Sequence, residues 1–186
     1  MAARIAGLAG SWSTPSRTRA LVALIGARAA ERSGAGHETF DLNDFGPSLG
    51  QARSLDGLDG TARAVLDRLL SADALVVGTP VYKGSYTGLL KHLLDLVDPA
   101  ALAGKPVLLT ATGGGEKHAL VVEHHLRPLF GFFEAATLPT GIYAGPGDFV
   151  DGAPASPALV ARIERAVDQL VPWLGARMPA ALAVGA

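Results

Sequence analysis

Three histidines follow a glycine run near the middle of the chain, in the segment GGGEKHALVVEHHLRPLF. Two histidines on one helix can share a zinc ion when they are three or four positions apart. His118 instead lies six and seven positions before His124 and His125, and the last two are adjacent. On a helix, adjacent side chains point about 100° apart. We therefore predict that these histidines bind no shared metal.

Pro128 is the second chemical signal in this segment. It has no N–H to donate to the carbonyl of residue 124, and its ring crowds that carbonyl. The apolar pattern nevertheless continues through the proline, at Val122, Leu126, Leu129, Phe130 and Phe133. A helix that continues past a proline usually kinks or contains a π-bulge, often at a functional position. We predict such a bulge beginning at His124.

The segment GSWSTPSRT gathers hydroxyl groups and one guanidinium where a first strand passes into a helix. Free backbone N–H groups and the helix dipole favour an anion there, and Arg17 can add a bidentate pair to a phosphate. The segment lacks the P-loop lysine and the G-x-G-x-x-G spacing, so a phosphate monoester fits better than ATP or a tightly held dinucleotide. The alternative is a capped helix that binds nothing, with Thr14 as N-cap and Pro15 as the first helical residue.

A second loop, PVYKGSY, follows the third predicted strand. Gly84 permits backbone conformations closed to other residues and lets a ligand approach closely. Backbone groups of such a loop can bind the polar edge of a heterocycle, and Tyr82 can present its ring or its hydroxyl. Taken alone, however, the loop is more typical of an ordinary surface turn with a solvated Lys83.

A third loop, TATGGGEKH, places three glycines after the fourth predicted strand. It is not a dinucleotide fingerprint, because that motif belongs after the first strand and its third glycine position is His118 here. The glycines are better explained by a flat ring that lies close to the backbone.

Short apolar runs alternate with helix-length amphipathic stretches along the chain. We predict strands at 4–10, 37–42, 74–80, 106–113 and 137–144, and helices at 16–33, 58–72, 86–97, 116–134 and 158–175. This alternation predicts an α/β fold with a doubly wound parallel sheet, in which ligands bind beyond the carboxyl ends of the strands. All three loops lie there. We predict one domain over residues 1–175, with a loop at 143–157, and a loose C-terminal tail at 176–186.

Composition excludes several classes of function. The chain has 186 residues, of which 49% are hydrophobic and 18% charged, with a formal net charge of −1 and no cysteine. Disulfides, thiolate nucleophiles and cysteine–metal sites are therefore excluded, and the balanced charge gives no footprint for nucleic acid or a lipid surface. The apolar run at the start is too short for a signal peptide, and no segment is long enough to span a bilayer. We expect a soluble cytoplasmic protein.

Together, the three loops in their order resemble the NAD(P)H-dependent FMN reductases of the flavodoxin-like fold that serve sulfonate-degrading monooxygenases. The resemblance runs from GLAGSWSTPSRT through GTPVYKGSYTGLLKHLLDLV to TATGGGEKHALVVEHHLRPLFGFF, and is closest to the methanesulfonate-associated branch. It implies a five-stranded sheet in the order 2-1-3-4-5 and hydride transfer from NADH or NADPH to FMN, with NADH favoured because that branch prefers it. It also implies a homodimer or homotetramer and a partner monooxygenase that receives reduced FMN.

The resemblance also assigns roles to residues, and none of them is catalytic. The FMN phosphate would be held by Ser11, Ser16, Arg17 and Thr18. The isoalloxazine would be lined by Pro80, Val81, Tyr82, Lys83 and Ser85, with Thr112, Gly113 and Gly114 on its other side. In similar reductases the fourth helix carries a one-residue insertion that forms a π-helix at the subunit interface and is linked to release of reduced flavin. His124 occupies the matching position here.

Two alternatives remain open on the same fold. One is a reductase of quinones, azo dyes or chromate that keeps FMN bound. The other is a non-enzymatic flavodoxin-type carrier, against which the near-neutral charge argues because such carriers generally use an acidic docking face.

Overall fold

The middle strands of the central sheet are short, apolar and buried on both faces, as parallel strands covered by helices must be. The computed structural model describes residues 2–175. Its strands are β1 (Arg4–Ala9), β2 (Gly36–Asp41), β3 (Ala74–Pro80), β4 (Pro106–Thr112), β5 (Ala136–Thr137) and β6 (Ile142–Ala144). They run parallel in the order β2-β1-β3-β4-β5, and β6 also pairs with β4. The predicted flavodoxin-like order 2-1-3-4-5 is confirmed, and the predicted tail at 176–186 lies outside the described residues.

In the part of the chain that the structure describes, five α-helices cover the two faces of the sheet. They are α1 (Arg17–Ser33), α2 (Gly60–Leu70), α3 (Gly88–Asp95), α4 (Arg127–Phe132) and α5 (Pro157–Gly175). Helices α1 and α5 pack together on one face, where Leu21, Ile25 and Ile163 are buried. Helices α2, α3 and α4 bury their apolar stripes on the other face. Gly34 ends α1 with φ of 72°, a left-handed conformation that glycine adopts without steric cost.

The fifth strand position differs from the prediction. In place of one strand at 137–144, two short strands, β5 and β6, are separated by residues 138–141. Gly141 packs so closely against Val122, which lies earlier in the chain, that an added Cβ would lie 2.5 Å from Val122 Cγ1. The predicted loop at 143–157 also contains a small antiparallel hairpin, β7 (Phe149–Val150) and β8 (Ala153–Pro154).

The predicted helix at 116–134 is divided into three pieces. A 3₁₀ turn at Glu116–His118 comes first, then a π-helix at Val122–Leu126, and then α4. The N–H of Arg127 donates to the carbonyl of Val122, five residues earlier. The π-helix therefore begins two residues before His124, and His124 lies inside it.

Pro128 sits in the first turn of α4, directly after the π-helix. Leu126, the residue before α4, is itself helical, so the helical path is continuous and Pro128 leaves one interior position without a donor. A π-turn is one of the adjustments that accommodates such a proline. The widened turn thus lets the helical path continue through the proline.

Within residues 2–175, no helix combines the length and the apolar character needed to cross a bilayer. In the same part of the chain, no three histidine or acidic side chains come close enough to one another to hold a metal ion.

Candidate functional site

The loop between β1 and α1, residues 10–16, ends in an N-cap. Ser16 has an extended backbone, and its Oγ accepts the N–H of Arg19 at 3.1 Å. The alternative cap at Thr14 is therefore wrong, since Thr14 and Pro15 both precede the capping residue. The N–H groups of Arg17 and Thr18 have no acceptor within the helix, so this terminus can bind an anion.

Two arginines near this terminus have different surroundings. Arg19 pairs with Asp41 and Asp44, at 2.8 Å from each carboxylate. Arg17 is exposed, and its guanidinium carbon lies 5.6 Å from the ring centroid of Phe149. Over residues 2–175, no carboxylate comes within ion-pair distance of Arg17. Arg17 is therefore the guanidinium that remains available to an external anion.

The other predicted phosphate residues are more enclosed. Ser11 is buried, and its Oγ accepts the N–H of Ser13 at 3.2 Å. The buried hydroxyls of Thr18 and Thr112 lie 2.7 Å apart and bond to each other. A predicted phosphate residue and a predicted ring residue thus tie α1 to the end of β4. With its hydroxyl already engaged, Thr18 can offer its backbone N–H to a ligand.

After β3 the chain forms a two-residue hairpin, which we call the Tyr82–Ser85 hairpin. The N–H of Tyr82 donates to the carbonyl of Ser85 at 2.9 Å, and the reverse bond is 3.2 Å. The two central residues, Lys83 and Gly84, have φ of 52° and 83°. Positive φ at both positions is typical of a type I′ turn. The turn therefore requires the positive φ that glycine allows at position 84.

This hairpin contacts the first loop through aromatic and hydroxyl groups. The rings of Trp12 and Tyr82 meet edge to face with centroids 6.0 Å apart. The hydroxyls of Ser13 and Tyr82 are 3.4 Å apart. Trp12 is 49% exposed and Tyr82 42%, so both present aromatic surface at the mouth of the site. Sequence reasoning missed Trp12, although a tryptophan inside a loop of small hydroxyl residues was an available signal.

The third loop, residues 113–115, is held by a residue that sequence reasoning also missed. Tyr143 donates from its hydroxyl to the carbonyl of Gly115 at 2.6 Å, and burial raises the pKa of that hydroxyl above its usual value. A Cβ on Gly113 would lie 2.5 Å from the same hydroxyl oxygen, whereas a Cβ on Gly114 would meet no atom within 4 Å. Gly113 is therefore required by packing, and Gly114 is where a flat ring can approach the backbone.

Hydrogen bonds join the three loops along the carboxyl edge of the sheet. Val81 donates its N–H to the carbonyl of Thr112 at 2.7 Å, next to the pairing of Pro80 with Thr112. The N-cap of α3, Thr87, donates from its hydroxyl to the carbonyl of Gly10 at 2.8 Å. The predicted residues from all three loops therefore share one edge. His124 is exposed in the π-helix.

The residues present fit a phosphorylated flat ring. The open N-terminus of α1 and Arg17 suit a phosphate, while the hairpin backbone and Gly114 suit a polar heterocycle. Together the fold and this edge define a flavodoxin-like α/β protein with a mononucleotide-type site.

Comparison with known proteins gives the family. Residues 3–149 match the NADPH-dependent FMN reductase family. A Pseudomonas aeruginosa protein named FMN reductase (NADPH) is 44% identical, and the alignment covers 94% of each chain. NADH-dependent FMN reductase SfnF of Pseudomonas fluorescens is also 44% identical, again over 94% of each chain. A solved oxidoreductase from Corynebacterium diphtheriae is 33% identical with a TM-score of 0.83, covering 93% of this chain and 97% of that one.

The chain belongs to the NADPH-dependent FMN reductase family. This membership confirms the resemblance inferred from the loops. It also confirms the predicted oxidoreductase class and the predicted use of FMN with a nicotinamide nucleotide.

Proposed function

We propose that this protein uses NADH or NADPH to reduce FMN and releases the reduced flavin to a separate sulfonate monooxygenase. One observation carries the proposal most directly: the open N-terminus of α1 with its unpaired Arg17, the Tyr82–Ser85 hairpin and the glycine loop meet at one edge of the sheet. A phosphate and a flat ring of one ligand can therefore contact all three.

The residue assignments follow the positions of the loops. We assign the phosphate to Ser11, Ser16, Arg17 and Thr18. We assign the ring to Pro80, Val81, Tyr82, Lys83, Ser85, Thr112, Gly113 and Gly114. The charge-assisted contacts belong to Arg17, and the helical N–H groups add neutral ones.

Bound FMN supplies the redox chemistry, since its ring accepts the hydride that a nicotinamide donates. The chain itself contributes position. Arg17 and the N–H groups of α1 would hold the phosphate end, and the hairpin backbone would hold the ring edge, so that the reacting rings are positioned relative to each other. Backbone N–H groups at that edge would favour negative charge on the bound ring. This division of labour explains why the proposed site contains no assigned acid, base or nucleophile.

The finer parts of the proposal concern association. Leu120, two residues before the π-helix, and Phe132, at the end of α4, are 64% and 71% exposed, and exposed apolar side chains of this size favour a protein–protein contact. We therefore propose that the π-helix segment with His124 lies at a subunit interface of a cytoplasmic homodimer or homotetramer. The partner monooxygenase is proposed from the resemblance to the methanesulfonate-associated branch.

Absorbance at 340 nm tests the activity, with NADH and NADPH compared in the presence and absence of free FMN. We expect FMN-dependent oxidation that saturates with FMN as a substrate. No FMN-dependent loss of absorbance with either nucleotide would reject the proposal. A protein that purifies yellow and prefers quinones would instead be a flavin-retaining reductase, and one-electron exchange without nucleotide oxidation would indicate a carrier.

A second experiment tests the interface. We expect that His124→Ala, or deletion of His124, changes oligomeric state or the rate of FMN exchange more than the rate of hydride transfer. Size-exclusion chromatography measures the oligomeric state, and stopped-flow absorbance measures the rates of FMN exchange and hydride transfer. Loss of hydride transfer with normal assembly and exchange would contradict the interface role.

A further inference from the structure

The π-helix contacts the proposed ring site inside a single chain, through His125. Its Nδ1 lies 2.9 Å from the Oγ of Ser85, and its ring meets that of Tyr86 edge to face at 6.2 Å. We propose that His125 is a positioning residue that holds the Tyr82–Ser85 hairpin in the orientation that accepts the flavin ring. This inference rests on the proposed function and adds a residue to it.

The hairpin needs such support because it is too small to hold its own position. Tyr82 and Ser85 form an isolated bridge outside the named strands, and a short isolated hairpin is marginally stable in water. Lys83 adds strain, since a non-glycine residue with φ of 52° is in the left-handed region. Contacts from outside the hairpin must therefore fix it.

Those contacts come from two directions. On the Tyr82 side, Trp12 and Ser13 reach the hairpin from the first loop. On the Ser85 side, the contact is His125, which lies 40 positions further along the chain. The first loop and the π-helix therefore hold the hairpin between them, an arrangement that we call the clasp.

The π-helix explains why His125 is free to make this bond. In a regular α-helix, residues four apart share a face. Residue 125 would then lie on the same buried face as Val121, which is 5% exposed. In the structure Val121, Val122 and Leu126 are buried, while His125 is exposed. The wider turn therefore moves His125 off the buried face and toward Ser85.

The rest of the π-helix is fixed to the sheet on both sides of His125. Val122 packs against Gly141. Arg127 donates to the carbonyl of Leu138 at 2.9 Å and to Thr137 Oγ1 at 3.1 Å. His125 thus projects from a rigid base. Its bond to Ser85 can form in either imidazole tautomer, because a hydroxyl both donates and accepts.

Hydrogen exchange in the flavin-free protein tests the clasp without relying on activity. We expect His125→Ala to increase exchange of the hairpin amides of Tyr82 and Ser85 about fivefold, since one hydrogen bond is lost. Ser85→Ala removes the same bond without altering the π-helix and should give the same increase. His125→Asn places a polar atom where Nδ1 was and should restore protection. His37→Ala, at the opposite edge of the sheet, should change nothing in the hairpin.

Flavin binding tests the consequence. Titrations by flavin fluorescence should show dissociation constants for FMN and riboflavin that both rise about fivefold in His125→Ala and stay within about twofold of wild type in His125→Asn. In a Ser85→Ala background, His125→Ala should add only the smaller effect of losing its edge-to-face contact with Tyr86, because the hydrogen bond is already absent.

Three results would overturn the inference: unchanged exchange in His125→Ala, increased exchange with unchanged flavin affinity, or effects of the two substitutions that multiply. Failure of the proposed function looks different. A wild-type protein that binds flavin without oxidising NADH or NADPH would reject the proposed reductase function. The hydrogen-exchange data would still test whether His125 positions the hairpin.

Discussion

The first loop and the Tyr82–Ser85 hairpin lie at the same edge of the sheet but are held in different ways. Side-chain bonds within the first loop and its cap span two and three positions, from Ser11 to Ser13 and from Ser16 to Arg19. The side-chain bonds of the hairpin span 69 positions to Ser13 and 40 to His125. The helix cap of the first loop is therefore set by local sequence, whereas the side-chain contacts of the hairpin are all tertiary. Tertiary bonds from Thr87 to Gly10 and from Thr18 to Thr112 also tie the first loop and α1 to the rest of the edge. Substitutions can separate the two.

Substitution of Gly141, on which Val122 of the π-helix packs, should have the largest effect on stability. A Cβ in Gly141→Ala would lie 2.5 Å from Val122 Cγ1, and overpacking of this kind lowers the free energy of unfolding by about 1–3 kcal/mol. Gly131→Ala is the matched control, because its Cβ in α4 would meet no atom within 4 Å. Urea unfolding should show a loss for the first and no loss for the second. Equal stabilities would mean that the π-helix is not fixed at Gly141.

The turn of the hairpin should show the next largest effect. Gly84 has φ of 83° with no neighbour within 4 Å of an added Cβ, so Gly84→Ala tests backbone conformation alone. The left-handed region costs a non-glycine residue roughly 1–2 kcal/mol, and we expect a loss of this size in urea unfolding. Gly88→Ala, also without a neighbour within 4 Å, should not lose stability in this way. A tolerated Gly84→Ala would show that the hairpin is not held in this turn.

Substitutions of Ser16 test the first loop, whose helix cap is set by local sequence. Ser16→Ala removes the N-cap of α1 and should lower the free energy of unfolding by about 1 kcal/mol. Ser16→Asp keeps a capping acceptor, so thermal unfolding should be close to wild type. The added carboxylate should nevertheless repel the phosphate of FMN and weaken FMN binding more than Ser16→Ala does. Tight FMN binding by a stable Ser16→Asp would place the phosphate elsewhere.

The pH dependence that Tyr143 contributes should be the smallest effect and should appear only at alkaline pH, on top of the constant loss of its hydrogen bond to Gly115 in Tyr143→Phe. Burial raises the pKa of Tyr143 in the folded protein, so the unfolded chain releases this proton first as pH rises past about 10. The folded state therefore loses stability from that pH upward. Between pH 9 and 11, urea unfolding should show a steeper loss for wild type than for Tyr143→Phe. Equal losses of stability in the two proteins would show that the fold does not raise the pKa of Tyr143.

The same contrast explains what the sequence could predict. Apolar periodicity and glycine positions are local signals, and they were sufficient for the fold class and for the end of α1 at residue 33, whereas the strand order came from the family resemblance. Pro128 within an apolar pattern was sufficient to expect a π-helix, although its start at Val122 was not predicted. The cap was placed at Thr14 in one alternative because several hydroxyl residues in this loop satisfy the same local rule.

Most of the features that were missed depend on contacts between distant parts of the chain. The break in the fifth strand contains Pro139, which cannot donate to a strand ladder and is a local signal. Nothing in the run TLPTGIYA, however, reports the packing of Gly141 on Val122 at the same place. The roles of Trp12 and Tyr143 are likewise defined by partners in other loops, Tyr82 and Gly115.

One titration tests the central claim, that Arg17 and the start of α1 bind the phosphate while the hairpin contacts the ring. Dissociation constants for FMN and riboflavin are compared by flavin fluorescence in wild type, Arg17→Ala and the exposed control Arg165→Ala. Hydrogen bonds to a charged group contribute about 1.5–3 kcal/mol, so Arg17→Ala should weaken FMN binding by about 10- to 100-fold and leave riboflavin binding unchanged. Equal weakening of both flavins, or no change for FMN, would contradict the account.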